Sequence, residues 1–134
     1  MRPNKALVDT NVVIGFFAGQ PDVIAALQSK RELFLPVIVL GELYYGVHRS
    51  TRREANLERL QQFAQEVQVL DCTPETAKVY GEIKAALASK GSPIPENDSW
   101  IAALAIEHDA AVMTRDSHFS KVVGLSVEMV PAKN

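Results

Sequence analysis

The sequence predicts an α/β protein with a central parallel sheet and helices on both faces, a three-layer α/β/α architecture. Short apolar runs typical of buried strands alternate with helical segments along the chain, which is the order of a parallel sheet with crossover helices. The length of 134 residues and the 47% hydrophobic content suit one core, and no repeat, low-complexity tract or linker divides the chain. We therefore expect residues 1–134 to form a single domain.

One strand and two helices are predicted at the start of the chain. Residues 6–8 are an apolar run that stops at Asp9, as a buried strand does at its exit. Residues 12–17 are apolar almost all round, which predicts a short buried helix that ends at residues 19–21. Pro21 then begins a second helix, whose apolar side chains recur at helical spacing.

The next segment combines a strand with a helix. Residues 33–35 predict a second buried strand, and Pro36 suits the first position of a helix, where its missing N–H is not needed. Residues 37–47 carry two signals, because β-branched side chains favour a strand while apolar residues recur at helical spacing. We interpret this segment as a helix that encloses Glu42 among apolar residues.

A surface helix, a third strand and a longer helix are predicted in the middle of the chain. Residues 51–66 have an apolar stripe opposite charged residues, and residues 67–70 suggest a strand. Thr73 followed by Pro74 is a good helix start, and residues 91–95 end that helix. Its side chains expected to face inward are Ala77, Tyr80, Ile83 and Leu87.

The last third repeats the layout of the first strand. Residues 101–106 predict a helix buried on several sides, with Asp98 in its first turn. Residues 111–113 predict a strand that exits into Thr114-Arg115-Asp116, as the first strand exits into polar residues. Residues 125–130 alternate in the manner of a final edge strand.

Composition excludes several classes of protein. The net charge of −2 gives no overall basic field, so nucleic-acid binding would need a local patch. Cys72 is the single cysteine, which rules out an internal disulfide and fits a reducing compartment. Residues 1–5 lead straight into the first strand without the apolar stretch of a signal peptide, and no segment reaches the ~20 apolar residues of a membrane span. We expect a cytoplasmic protein.

Four acidic residues are candidates for one common site. Parallel strands end at the same rim, so Asp9 and Asp116 share an edge if their strands are neighbours. Asp98 begins a buried helix and Glu42 follows the second strand in an apolar segment. Clustered buried carboxylates are costly without a cation, and Arg115 is expected to turn away from the rim. Oxygen ligands alone suit Mg²⁺ or Mn²⁺.

Such an ion implies phosphodiester hydrolysis, because carboxylate-held Mg²⁺ or Mn²⁺ typically binds phosphates and activates water. Asp9 and Asp116 would be the principal ligands, and Asp98 would complete the ligand set or hold a metal-bound water. Glu42 would orient or deprotonate the attacking nucleophile.

Four segments resemble the signature segments of the PIN domain, and of VapC-type toxins in particular, in order and in spacing along nearly the whole chain. They are Val8-Asp9-Thr10-Asn11, Leu40-Gly41-Glu42-Leu43, the stretch 94–103 around Asp98, and the stretch 114–119 around Asp116.

The resemblance implies an Mg²⁺- or Mn²⁺-dependent endoribonuclease toxin of a type II toxin–antitoxin system. Its catalytic residues would be Asp9, Glu42, Asp98 and Asp116, with Thr10, Asn11 and Thr114 as supporting polar residues. It also implies a homodimer and a cognate antitoxin that wraps the toxin and blocks the site. Glu96 is outside the usual pattern, and whether it joins the acidic cluster is left open.

Several further residues have a functional and a structural interpretation. His48, His108 and His118 are scattered, so each is expected at the surface or at a helix cap, with His118 the best exception because it follows Asp116 closely. Tyr80 and Trp100 are expected in the core rather than as platforms for bases.

The basic run 48–53 contains the candidate RNA contacts, which are Arg49, Arg52 and Arg53; a solvated helix end explains it equally well. Tyr44 and Tyr45 cannot both face inward on one helix, so at least one should be available to a partner, a pocket or a dimer interface.

Three alternatives to a toxin remain at this stage. One is a housekeeping RNA-processing nuclease, and another is a catalytically silent RNA- or protein-binding module with the same fold. The third is a phosphoacceptor or phosphatase with strand-end aspartates, but such sites usually carry a lysine where this chain has Arg115.

Overall fold

The structure is a computed structural model that describes residues 4–131. Five strands form its sheet: β1 (Lys5–Val8), β2 (Glu32–Pro36), β3 (Gln68–Leu70), β4 (Ala111–Thr114) and β5 (Val127–Met129). Six helices connect them: α1 (Thr10–Phe17), α2 (Pro21–Gln28), α3 (Val37–Arg49), α4 (Arg53–Glu66), α5 (Pro74–Ser89) and α6 (Glu96–Glu107). A 3₁₀ turn, Ser117–Lys121, follows β4. Residues 1–3, which belong to the segment 1–5 considered in the sequence, lie outside the described residues.

The sheet has the order β3-β2-β1-β4-β5, and every neighbouring pair is parallel. The central strand β1 is buried on both faces, with Ala6, Leu7 and Val8 no more than 1% exposed. Continuous apolar strands of this kind are typical of a parallel sheet covered by helices. Because β1 and β4 are direct neighbours, with Val8 opposite Met113, the condition for Asp9 and Asp116 to share a rim is met. The predicted α/β fold class is confirmed.

Two helices show how local sequence sets their ends and their burial. Thr73 caps α5 in a reciprocal capping box with Thr76, and Pro74 occupies the first turn, as predicted. In α6 the run Ile101–Ala105 is completely buried, because small and aliphatic side chains let the helix pack closely on its neighbours. The segment 37–47 is helical, as the spacing of its apolar residues indicated.

The structure corrects three details. Helix α1 is not buried all round, because Ile14 is 56% and Phe16 is 36% exposed on the side that faces away from the sheet. In α5 Ala77 is exposed, although it was predicted to face inward, and Thr76 is buried instead. The Thr76 hydroxyl donates to Glu107 at 2.6 Å, which directs the Thr76 side of the helix inward. Pro36 ends β2 and caps α3, which begins one residue later than predicted.

Across the described range, no single helix is long and apolar enough to cross a membrane. Helices α1 and α2 meet the length and composition criteria only as a pair, and they are bent by 116° at their junction.

Candidate active site

Asp9 lies at the exit of β1, where the strand passes directly into α1. Its backbone N–H donates to the Met113 carbonyl at 3.0 Å, which ties the strand end to β4. Its carboxylate accepts from the Thr10 N–H at 2.8 Å and from the Thr114 hydroxyl at 2.7 Å. The residue is 6% exposed. Two hydrogen bonds and the start of a helix therefore orient a nearly buried carboxylate toward the carboxyl-end rim of the sheet.

The exit of β4 brings Asp116 to the same rim. The Asp116 N–H donates to the hydroxyl of Thr114 at 2.9 Å, so that one hydroxyl links the two strand exits. The Arg115 N–H donates to the Asn11 side chain at 3.1 Å, which joins the same two segments a second time. The contacts of Thr114 and Asn11 suit supporting residues of the site.

Helices α3 and α6 supply the other two acids. Asp98 is in the first turn of α6, and its side chain is 13% exposed. Glu42 is in the second turn of α3 and is half-buried. His118, on the 3₁₀ turn, directs Nδ1 to both Asp98 Oδ2 at 3.1 Å and Asp116 Oδ1 at 2.8 Å. Residues far apart in the chain thus meet at one edge of the sheet.

The electrostatics of Asp9 reflect this crowding. Burial is the main cause that raises the pKa of Asp9 above its ordinary value, and the charge of Asp116 raises it further. The hydrogen bonds from Thr114 and Thr10 act in the opposite direction, since they favour the ionised carboxylate. Asp9 is therefore a carboxylate whose charge lacks full compensation from its surroundings.

Asp98 and Glu42 show the same pattern. Burial raises the pKa of Asp98, the hydrogen bond with His118 lowers it, and the charges of Asp9 and Asp116 raise it again. Burial also raises the pKa of Glu42, and the charges of Asp9 and Asp98 add to this effect. Glu42 is coupled to Asp9 and Asp98, and both of these are coupled to Asp116, so the four candidate residues form one cluster.

The cation nearest in sequence does not neutralise this cluster. Arg115 extends toward α1 and α2, where Nη1 packs against Gly15 and Nη2 lies 3.9 Å from Asp22. This is the orientation expected for it. A β-carbon at Gly15 would come within 3.2 Å of that guanidinium, so the glycine leaves room for the side chain to turn away from the rim.

The donor atoms at the rim suit a small divalent cation. Nitrogen and oxygen atoms of Asp98, Asp116 and His118 all lie within 4.8 Å of one another. The buried hydroxyl of Thr10 makes no hydrogen bond of ordinary geometry within the described range, although it lies near enough to Glu42 to lower the pKa of that carboxyl. Hard oxygen donors and an unpartnered buried hydroxyl are what a bound ion with its waters would use.

His118 was underestimated from the sequence. Its side chain is 41% exposed, as expected of a surface residue, but it also contacts two of the four acids, which agrees with its selection as the best exception. His48 is exposed and His108 ends α6, as predicted. The place of His118 two residues after Asp116 was the only signal in the sequence. A 3₁₀ turn folds the ring back over the strand exit, and no periodic pattern encodes that turn.

Glu96 is outside the cluster, which answers the question left open. Its carboxylate accepts from the Tyr80 hydroxyl and pairs with Lys84 at 2.7 Å on the exposed side of α5. Tyr80 in turn stacks on Trp100, with ring centroids 4.0 Å apart. Both aromatic residues are half-buried, so they are neither fully in the core nor free platforms.

The basic run lies where α3 ends and α4 begins, and Arg49, Arg52 and Arg53 are all exposed. The Arg49 guanidinium covers the ring of Tyr45 at 5.2 Å from its centroid, and Tyr45 is 64% exposed. Glu42, Tyr45 and Arg49 follow one another at helical spacing, so they share one face of α3. That face continues outward from the acidic cluster.

Comparison with known proteins agrees with this arrangement. A family model described as PIN domain matches residues 6–125. Ribonuclease VapC2 of Haemophilus influenzae is 32% identical over 127 residues, which cover 92% of this chain and 96% of the relative. The tRNA(fMet)-specific endonuclease VapC of Salmonella typhimurium is also 32% identical, over 128 residues that cover 92% and 96%.

The fold is similar to a chain in the crystal structure of VapBC2 from Rickettsia felis bound to a DNA fragment from their promoter. The TM-score is 0.85 at 29% identity, and the match covers 93% of this chain and 98% of that chain.

Proposed function

Because the chain belongs to the PIN domain family, we propose that it is a VapC-type ribonuclease toxin, which hydrolyses RNA phosphodiester bonds and is inhibited by a cognate antitoxin. One observation carries this proposal: four carboxylates from four separate segments meet at one rim, and the pKa values of three of them are raised. Such a concentration of like charge destabilises the folded protein unless a cation binds there. Its presence therefore indicates a functional site.

The proposed cofactor is Mg²⁺ or Mn²⁺, held by Asp9, Asp98 and Asp116. The chemistry of the donor set supports it, because carboxylate oxygens are the ligands these ions prefer and Arg115 gives the cluster no charge compensation. When bound, the ion would polarise the scissile phosphate and stabilise the developing negative charge. Thr114 and Thr10 would hold the Asp9 carboxylate in the orientation that binding needs.

Glu42 is proposed as the group that orients and deprotonates the attacking water. Its raised pKa supports this role, because a general base works best when its pKa approaches the operating pH. It is half-buried beside Asp9 and Asp98, so it can accept a proton from a water held at the rim.

RNA contacts are proposed for Arg49, Arg52 and Arg53. They are exposed and lie where α3 ends, after Glu42 in the chain. This position supports contacts to RNA phosphates next to the scissile one. We also propose that the whole chain is one PIN-like domain and that it forms a homodimer, as the resemblance to VapC-type toxins implies. Light scattering on the purified protein would test the oligomeric state.

Cleavage of structured RNA by the purified protein tests the nuclease. Initiator tRNA is a suitable substrate, since the relative from Salmonella typhimurium is named for it. We expect cleavage with Mn²⁺ or Mg²⁺, none with chelator, and none from Asp9→Asn. Asp71 gives a matched control because it also follows a strand, β3, but is exposed and outside the cluster, so Asp71→Asn should cleave normally.

Two outcomes would contradict the proposal. Cleavage that persists in Asp9→Asn would remove this residue from the site. A folded protein that binds the metal but cuts no RNA would favour the silent binding module. Growth arrest on expression, relieved by co-expression of a neighbouring small gene, would distinguish a toxin from a housekeeping nuclease.

A further inference from the structure

Building on the proposed ribonuclease, we propose that His118 binds the metal directly through Nδ1, and that this nitrogen makes the site prefer Mn²⁺ to Mg²⁺. The ring would complete a ligand set with Asp98 and Asp116, so that the site is not composed of oxygen atoms alone.

The distances around Nδ1 match those between neighbouring ligands of one ion. Bonds of about 2.1–2.2 Å at right angles place adjacent donor atoms about 3.0 Å apart. Nδ1 lies 3.1 Å from the nearer oxygen of Asp98 and 2.8 Å from that of Asp116. All three donor atoms are within 4.8 Å of one another, so small side-chain rotations would bring them onto a single ion.

The turn that carries His118 is well anchored. Its backbone N–H donates to the Asp116 carboxylate at 2.9 Å, and the neighbouring Phe119 is completely buried. The Ser120 hydroxyl donates to the Ser117 carbonyl at 2.7 Å, which closes the turn on itself. The backbone of the turn and the buried Phe119 therefore fix the imidazole at the rim. Its Nδ1 points at the carboxylates of Asp98 and Asp116, and an ion bound there would replace these two contacts.

Nitrogen at this position affects metal choice. Mg²⁺ is bound mainly by carboxylates, phosphates and water, whereas imidazole is a common ligand for first-row transition ions. A site with two carboxylates and one imidazole should consequently gain more affinity for Mn²⁺ than for Mg²⁺. Replacing His118 with asparagine supplies an oxygen donor instead and should remove the preference.

Electron paramagnetic resonance of Mn²⁺ bound to the unmodified protein tests ligation without relying on activity. We expect electron spin echo modulation from one directly coordinated ¹⁴N, which disappears in His118→Asn. His108→Asn is the matched control, because His108 lies at the end of α6 beside Glu107 and away from the acidic cluster, and its spectrum should be unchanged.

Binding titrations measure the selectivity. Mn²⁺ affinity should fall about 10-fold or more in His118→Asn. Loss of a side chain that only hydrogen-bonds the ligands can have an effect of this size, so direct ligation is judged from the ¹⁴N signal. Mg²⁺ affinity, measured by competition, should change by less than about 3-fold, so the ratio of Mn²⁺ affinity to Mg²⁺ affinity falls. His118→Ala should weaken both ions, because it supplies no donor.

The outcomes separate this inference from the function on which it rests. Mn²⁺ that binds without a ¹⁴N signal, together with normal RNA cleavage, would overturn the role of His118 and leave the ribonuclease intact. Absence of both Mn²⁺ binding and cleavage in the unmodified protein would overturn the ribonuclease as well. A ¹⁴N signal that survives in His118→Asn would also overturn the assignment, since the nitrogen would then come from another residue.

Discussion

Glu96 and Asp98 lie two residues apart in the first turn of α6, yet their surroundings are opposite. The Glu96 side chain is 55% exposed, pairs with Lys84 and accepts from Tyr80, and these bonds lower its pKa. The Asp98 side chain is 13% exposed, and burial and the charges of Asp9 and Asp116 raise its pKa despite the hydrogen bond with His118.

The difference distinguishes a carboxylate that has a cationic partner within the chain from one that is surrounded by other acids. The protein itself supplies the partners of Glu96, which link α5 to the start of α6. At Asp98 the folded chain concentrates like charges and supplies one imidazole. A helix start favours acids in general, so the local sequence makes both residues reasonable. Only the partners show that the chain compensates the charge of Glu96 and leaves that of Asp98 less compensated.

The largest expected effect is on RNA cleavage. Asp98→Asn should reduce cleavage by at least about 100-fold, since it removes a proposed ligand of the metal that would stabilise charge on the phosphate. Glu96→Gln, in the same helical turn, should stay within about 3-fold of the unmodified protein. Single-turnover cleavage with saturating Mn²⁺ measures both, and comparable losses in the two variants would erase the distinction.

A second effect concerns stabilisation by metal. Mn²⁺ at about 100 times its dissociation constant should stabilise the fold by about 2.7 kcal/mol, because the ion binds the folded state alone. Thermal unfolding followed by circular dichroism, with Mn²⁺ and then with chelator, measures the shift. The shift should be largely lost in Asp98→Asn and fully kept in Glu96→Gln. A full shift in Asp98→Asn would place the ion elsewhere.

A smaller effect is the pH dependence of stability in chelator. The pKa values of Asp9 and Asp98 are raised in the folded state, so between about pH 4 and these raised values the folded state binds more protons than the unfolded state. The free energy of unfolding therefore falls as pH rises through this range. Asp98→Asn should flatten the decline and make the metal-free protein more stable at pH 7. Urea unfolding between pH 4 and 8 measures the slope.

Glu96 should have the opposite effect on the pH dependence of stability in the same experiment. The pKa of Glu96 is lowered in the folded state, so its ionised carboxylate stabilises the fold above about pH 4.3. This stabilisation is lost as pH falls through the pKa of the folded state. Because this side chain is exposed and screened by solvent, the effect should be slight. Glu96→Gln that flattened the profile as strongly as Asp98→Asn would contradict the comparison.

Much of the fold could be predicted because its signals are local. The apolar run before Asp9, the cap and proline at Thr73-Pro74 and the buried run in α6 each specify an element without knowledge of the rest. The exposed side of α1 could not be predicted in the same way. An apolar helix shows no polar face, and only the assembled fold determines which side its neighbours leave uncovered.

By itself, the sequence determined the alternation of strands and helices, and with it a parallel sheet whose strand exits carry Asp9 and Asp116. These features depend on residue spacing and on turn chemistry, which are properties of short segments. The tertiary structure decided that β1 and β4 are neighbours, that His118 folds back onto two acids and that Glu96 faces solvent. Those outcomes depend on contacts between residues up to 105 positions apart, such as Thr114 with Asp9, and no short segment contains them.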